Sequence, residues 1–173
     1  VAKKFGYPVF NADYEVGKLY QSSKKTFNKL NKSLPKYISL FPVDKKEISH
    51  AILSNKKNLD KIIKIIHFEI RKKMLAFLKK HKKKKIVVMD IPLLLENKIN
   101  KKKDILIYVE AKKNDIHKRL KKRKNFNKKL LKKFKSIQLS NSFKKKKSHF
   151  IIKNDFTKKS VRNNIKDILK KIL

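Results

Sequence analysis

Apolar residues fall along this chain in two rhythms. Short β-rich runs, at Pro8–Phe10, Ile86–Met89, Ile105–Val109 and Phe150–Ile152, alternate with longer segments whose apolar positions recur every three or four residues. The longest of these is Asn58–Lys80, where Leu59, Ile62, Ile63, Ile66, Ile70, Met74, Leu75 and Leu78 predict a helix of several turns. The same spacing predicts a closing helix over Thr157–Leu173, with Val161, Ile165, Ile168, Leu169 and Ile172 on one face. Asp13–Tyr20 reads as a helix N-capped near Asp13. Asp44-Lys45-Lys46-Glu47 is a capping box without its hydroxyl and opens a helix through Leu53. Asn114–Lys124 and Asn127–Ser140 are two further helices, Ser22–Phe41 is helix plus loop, and Lys82–Lys85 is a solvated loop. Val1–Gly6 reads as the basic tail of a helix closed by Gly6. Strands that alternate with helices argue for an α/β protein with a parallel sheet.

Length and charge narrow the class. A chain of 173 residues suits one domain with room for a small inserted subdomain. It contains no cysteine, which excludes a disulfide framework and a thiolate metal site. No apolar run is long enough to span a bilayer and no signal-peptide pattern opens the sequence, so no membrane partner is expected and the cytoplasm is the default compartment. The net charge of +38 would attract polyanions. Nearly all of it is lysine, however, and the chain is also rich in Ile, Asn and Phe, all residues with A/T-rich codons. Codon bias is therefore the simpler account, and no specific nucleic-acid partner is expected. Against that background the arginines, Arg71, Arg119, Arg123 and Arg162, are informative.

Two of the strands end in polar residues that suggest chemistry. Ile86-Val87-Val88-Met89 runs into Asp90 and then Pro92, and Pro8-Val9-Phe10 runs into Asn11-Ala12-Asp13. A buried parallel strand that delivers a carboxylate to the carboxyl edge of a sheet places it where α/β proteins bind ligands. Asp90 has the placement of an acid that holds Mg²⁺, or else it caps the next segment. Asp13 is either a plain helix cap or a carboxylate set to take a proton from a hydroxyl nucleophile. Arg119 and Arg123, four apart on one expected helix, would project from one face and could clamp a polyphosphate; the alternative is a solvated basic face. His67 lies in an apolar helix with Arg71 one turn on, which suits either a structural imidazole or an anion site. Zinc-ligand spacing and a Ser-His-Asp arrangement are both lacking.

In this order the pieces resemble the dephospho-CoA kinases, P-loop kinases of the nucleoside-monophosphate-kinase type, over essentially the whole chain. Asn11-Ala12-Asp13 stands where that family has Asp-Ala-Asp, and His67-Phe68-Glu69-Ile70-Arg71 stands where it has His-Pro-x-[Ile/Val]-Arg. The most specific block is Pro-Leu-Leu-x-Glu after an Asp-ended strand, here Asp90 and Pro92–Glu96. Lys118-Arg119 and Arg123 match the basic lid, Gln138 matches a Gln of the following helix, and Asn154 matches the Asn that ends the last strand.

The resemblance implies a P-loop NTPase parallel sheet flanked by helices, with a core over 1–43 and 81–173, a basic lid over about 118–140 and a helical substrate-binding insert over 44–80. It implies transfer of the ATP γ-phosphoryl group to the ribose 3′-hydroxyl of dephospho-CoA, the last step of coenzyme A synthesis, with Mg²⁺ accompanying ATP. Asp13 would be the general base, Asp90 would hold the Mg²⁺ shell through water, and Arg119 and Arg123 would neutralise the transferring group. Asn154, with Arg119, would serve ATP. His67, Arg71, Pro92, Leu93 and Glu96 would line the dephospho-CoA side.

The chain departs from the family pattern in one large respect. It has two glycines and no glycine-rich phosphate loop, and Val1-Ala2-Lys3-Lys4-Phe5 matches the segment just after that loop in the family. The expectation is a missing central strand and P-loop, through a fragment, a miscalled start or gene decay, and hence a chain inactive and poorly stable alone. Smaller departures are Asn11 for Asp, Phe68 for Pro and Ser148-His149 for Ala-Asp. The competing readings are a basic RNA-associated module and another small-molecule kinase of the same fold.

Overall fold

The computed structural model describes residues 5–123 and 126–173. The expected helix tail at Val1–Lys4 and the last residue of the helix expected to reach Lys124 lie outside them. The chain divides into two compact units, Tyr7–Pro92 and Leu93–Leu173 with residues 5–6.

In the first unit, strand β1 (Val9–Asn11) leads at once into helix α1 (Ala12–Ser22), followed by α2 (Lys24–Ser33), α3 (Lys45–Ser54), α4 (Lys56–Lys80) and strand β2 (Val88–Asp90). β1 and β2 pair in parallel with Val9 opposite Val88 and Asn11 opposite Asp90. β2 starts two residues later than its apolar run because its partner starts at Val9. Pro8 has no N–H to donate, and its carbonyl accepts the first bond, from Val88 N at 2.9 Å. Helix α4 is the hub of the unit and packs on α1, α2 and α3. Its stripe Leu59, Ile62, Ile66 and Ile70 is buried, as the spacing requires. Leu75, expected on that face, is 58 % exposed. The C-terminal end of α4 turns Phe77 instead against Phe10 of β1, ring centroids 5.5 Å apart. Helices α3 and α4, which span the expected insert, thus share one unit with both strands.

In the second unit, strand β3 (Ile107–Glu110) is followed by α5 (Lys113–Lys121), α6 (Lys128–Ser136), α7 (Asn141–Lys147), strand β4 (Phe150–Lys153) and α8 (Lys158–Ile172). β3 and β4 pair in parallel, and α8 packs on β4 through Ile168, buried like Ile152. Among the described residues the strands form two parallel pairs, β1 with β2 and β3 with β4. Parallel strands are normally covered on both faces, yet Ile107 and Val109, on one face of β3, are 43 % and 56 % exposed.

Two helix boundaries differ from expectation. The helix expected over Asn127–Ser140 is shorter: α6 stops at Ser136, and a separate helix, α7, begins at Asn141, where Ser140 caps it by accepting the N–H of Phe143 at 3.2 Å. α5 ends at Lys121 with Lys122 as its C-cap, so Arg123 sits in the turn beyond, its N–H bonded to Leu120 O at 3.1 Å. The same-face spacing expected of Arg119 and Arg123 on one helix is therefore not realised.

Candidate active site

The sharpest convergence of polar groups lies at the carboxyl ends of β1 and β2. Their register sets Asn11 beside Asp90, and the Asn11 amide donates to Asp90 Oδ2 at 2.6 Å. The other end of the same amide, Oδ1, accepts the N–H of Tyr14 at 2.8 Å. Asn11 is therefore the N-cap of α1, and the expectation of a cap near Asp13 is corrected by two residues. The two hydrogen bonds fix which end of the amide points where. With the capping job taken, Asp13 falls in the first turn of α1, where the helix dipole favours a negative charge. It lines a cleft of about 380 Å³ with Tyr14, Gly17, Lys18, Gln21, Ser22 and Lys45. An amide, a strand-end carboxylate and a helix-start carboxylate thus lie within three residues of one strand pair.

His67 and Arg71 lie one turn apart on α4. Burial, with the Arg71 charge beside it, holds the His67 imidazole below its ordinary value of 6.5, so it is neutral at pH 7. Between them sits Phe68, 51 % exposed, with the Lys29 and Lys72 ammonium groups 4.9 and 4.5 Å from its ring. Those ammonium groups meet the π-face of the ring, which a Pro at this position would lack.

The remaining expected residues lie on or beside the second unit. Pro92 and Leu93 enter a run of turns after Asp90, with Leu93 in the left-handed region at φ 56°. The Leu93 carbonyl accepts both the backbone and side-chain N–H of Asn97, at 3.1 and 2.8 Å. The Glu96 carboxylate is 10 % exposed, 2.6 Å from Lys144 Nζ, and accepts the N–H of Leu139 at 3.0 Å. Burial alone would raise its pKa, but these hydrogen bonds outweigh it and hold the group below the usual range. Glu96 thus ties the Pro92–Glu96 segment to α7 and to the loop next to Gln138. Asn154, just past β4, donates its N–H to Glu110 O at 2.7 Å and accepts the N–H of Phe156 on its side chain at 2.8 Å. Arg119 lays its guanidinium over the Phe156 ring, 4.5 Å from the centroid. Sequence reasoning missed Phe156, which no spacing singles out. It also passed over His149, whose Nδ1 accepts the N–H of Leu106 at 2.9 Å at the start of β3.

Comparison with known proteins bears on what this arrangement is. The family model described as Dephospho-CoA kinase matches residues 1–160. The chain belongs to the dephospho-CoA kinase family. Similar relatives include the dephospho-CoA kinase of Wolbachia pipientis wMel, 31% identical over 169 residues that cover 96% of this chain and 86% of that one. The dephospho-CoA kinase of Bartonella henselae is 28% identical over 173 residues, covering 99% of this chain and 88% of its own. Among solved structures, TT1252 from Thermus thermophilus superposes with a TM-score of 0.75 at 17% identity, covering 99% of this chain and 88% of that one. The dephospho-CoA kinase from Campylobacter jejuni superposes with a TM-score of 0.65 at 22% identity, covering 99% and 87%. These likenesses show the fold: α/β, with parallel strands flanked by helices. Among the described residues no helix is long and apolar enough to cross a membrane.

Proposed function

We propose that this chain serves the ATP-dependent phosphorylation of the ribose 3′-hydroxyl of dephospho-CoA, with Asp13 as general base. The observation that carries this reading is the pairing of Asn11 with Asp90 at the strand ends, with Asp13 two residues on in the first turn of α1. Phosphoryl transfer asks little covalent chemistry of a protein; it asks for alignment, a base for the acceptor hydroxyl and positive charge around the transferring group.

Asp13 opens onto the cleft beside α1, and the Lys18 and Lys45 ammonium groups on its rim suit an anionic acceptor. Asp90 has one oxygen held by Asn11, and its ordinary role would be to hold water of a Mg²⁺ shell. Mg²⁺ is commonly bound by one or two carboxylates, several waters and substrate phosphates, so this donor set fits it. Bound there, the ion would offset phosphate charge. On this reading Arg119 and Arg123 serve ATP, and Asn154 fixes the turn that places Phe156 against Arg119. His67, neutral at pH 7, offers a hydrogen bond rather than a charge to the acceptor side, and Arg71 offers the charge. On the same reading Pro92, Leu93 and Glu96 also serve dephospho-CoA, and Lys144 pairs with Glu96 at 2.6 Å. The reading implies ATP and dephospho-CoA as partners and the cytoplasm as the compartment.

The chain's two glycines form no Gly-x-x-x-x-Gly-Lys-Ser/Thr loop, so on this reading these 173 residues alone turn over little substrate. Joining them to a strand and a glycine-rich phosphate loop should give Mg²⁺- and ATP-dependent conversion of dephospho-CoA to CoA, followed by chromatography. Asp13→Asn in that longer chain should slow conversion by about 10²- to 10⁴-fold. No product from the joined chain, or full activity in Asp13→Asn, would overturn the proposal.

A further inference from the structure

Phe156 holds a backbone conformation that suits it badly. Its φ of 65° lies in the left-handed region, where a bulky side chain is an outlier and glycine is at ease. The conformation is held from both sides. Asn154 Oδ1 accepts the Phe156 N–H at 2.8 Å, and Asp155 Oδ1 accepts the Thr157 N–H at 2.9 Å and its hydroxyl at 2.8 Å. Thr157 in turn caps α8. A strained position kept by its surroundings points to a use for the side chain. The ring's partner is Arg119, one of only four arginines, whose guanidinium lies 4.5 Å from the ring centroid.

We propose that Phe156 is the positioning residue for Arg119 in nucleotide binding. This deepens the reading above and rests on Arg119 serving ATP. A guanidinium held over a ring can meet it with its π-face, and its N–H donors radiate in its own plane. Those in-plane donors are the ones that grip phosphate oxygens in a fork, so the stack fixes the fork's direction without occupying it. Among the described residues no carboxylate forms an ion pair with Arg119, so the ring is what orients it. The Asn154 side chain, by shaping the turn, holds the ring under the guanidinium.

The test is ¹H–¹⁵N spectroscopy of the arginine Nε–H groups of the full chain, where four arginines give four signals. Arg119→Lys identifies the Arg119 signal. Ring current should displace it, and Phe156→Leu should return it towards the others, with Phe156→Tyr restoring the displacement. ATP titration should move the same signal, and Phe156→Leu should weaken ATP binding by about 3- to 10-fold, as expected for the loss of one ring–cation contact. Phe156→Gly relieves the backbone yet should lose the same affinity, which separates positioning from folding. If neither Phe156→Leu nor Phe156→Gly moves the Arg119 signal, the positioning role is overturned. If the signal moves but ATP shifts no arginine signal in the parent chain, the stack stands and Arg119's assignment to the nucleotide fails, taking the proposal with it.

Discussion

Replacing Asn11 with aspartate restores the residue the family has at this position, and it should weaken this chain. The asparagine amide does two jobs, donating to Asp90 Oδ2 at 2.6 Å and accepting the Tyr14 N–H at 2.8 Å. An aspartate keeps the second, because Asp and Asn cap helices about equally well. It cannot keep the first. A hydrogen bond to a charged group contributes about 1.5–3 kcal/mol, and near solvent the lower end applies. Two carboxylates forced to about 4 Å add repulsion of about 1 kcal/mol in a water-like surrounding. The expected loss is about 2 kcal/mol, or roughly 4–8 °C in midpoint for a chain of this size.

One effect opposes it. At a net charge of +38, any added carboxylate relieves self-repulsion. Asn163→Asp, on an exposed position of α8, measures that general gain. Asn11→Ala loses the cap as well as the donor, at a similar total cost but without the charge repulsion. Thermal unfolding followed by circular dichroism should therefore place Asn11→Asp below both the parent and Asn163→Asp. Its deficit should shrink in 1 M salt, where the screening length falls to about 3 Å, while the deficit of Asn11→Ala stays. Equal midpoints for Asn11→Asp and Asn163→Asp would refute the claim that this amide orients Asp90.

Gly17 sits inside α1 at a backbone angle any residue adopts, and an added Cβ would meet nothing within 4 Å. Gly17→Ala should stabilise the chain by up to about 1 kcal/mol in chemical denaturation, whereas Gly17→Leu, which fills the cleft beside Asp13, should raise the KM for dephospho-CoA in the loop-bearing chain. Glu96→Gln leaves Lys144 without its 2.6 Å partner and should cost about 2 kcal/mol, below the usual range for fully buried pairs because both ends keep some exposure. The folded-state pKa of Glu96 is depressed, so its contribution is fully present above its ordinary value of 4.5 and is lost as pH falls through the folded value; acid titrations of parent and variant should converge there. His67 has the opposite chemistry with the same outcome. Its folded pKa lies below 6.5, so the unfolded chain binds the proton first, and stability should fall on acidification from pH 6.5 downwards; His67→Gln should flatten that slope.

The helices were legible wherever an apolar stripe met a capping side chain. Asp44 caps α3 where the pattern placed it, α8 opens one residue inside its expected start with Thr157 as cap, and the stripe of α4 is buried over Leu59–Ile70. Legibility failed where lysine dominates. Between Asn127 and Lys147 the apolar positions are too sparse to mark a break, and the decisive signal was Ser140, a single hydroxyl among other polar residues. Arg123 was misplaced for the same reason: a basic run has no periodicity with which to show that α5 ends at Lys121. Strand limits were missed by two residues because a ladder extends only as far as its partner. Neither the Ile86-Val87 run nor Ile105 carries information about where β1 and β4 begin.

The site shows a different kind of limit. Spacing located Asp13 and Asp90 as separate strand-end acids, and the family resemblance marked Asn11, the last residue of β1, as a departure. Pairing makes that departure intelligible. A second carboxylate at Asn11 would face Asp90 across one rung of a parallel pair and could only accept, whereas the amide both caps α1 and donates to Asp90. Asn11 is therefore in direct contact with both halves of the arrangement, the helix whose first turn carries Asp13 and the strand that ends with Asp90. If Asn11 were a neutral substitution fixed by codon bias, glutamine or serine would serve as well. Glutamine is one methylene too long to hold both bonds from the cap position, and serine reaches only the Tyr14 N–H, so each should recover at most one of the two contributions.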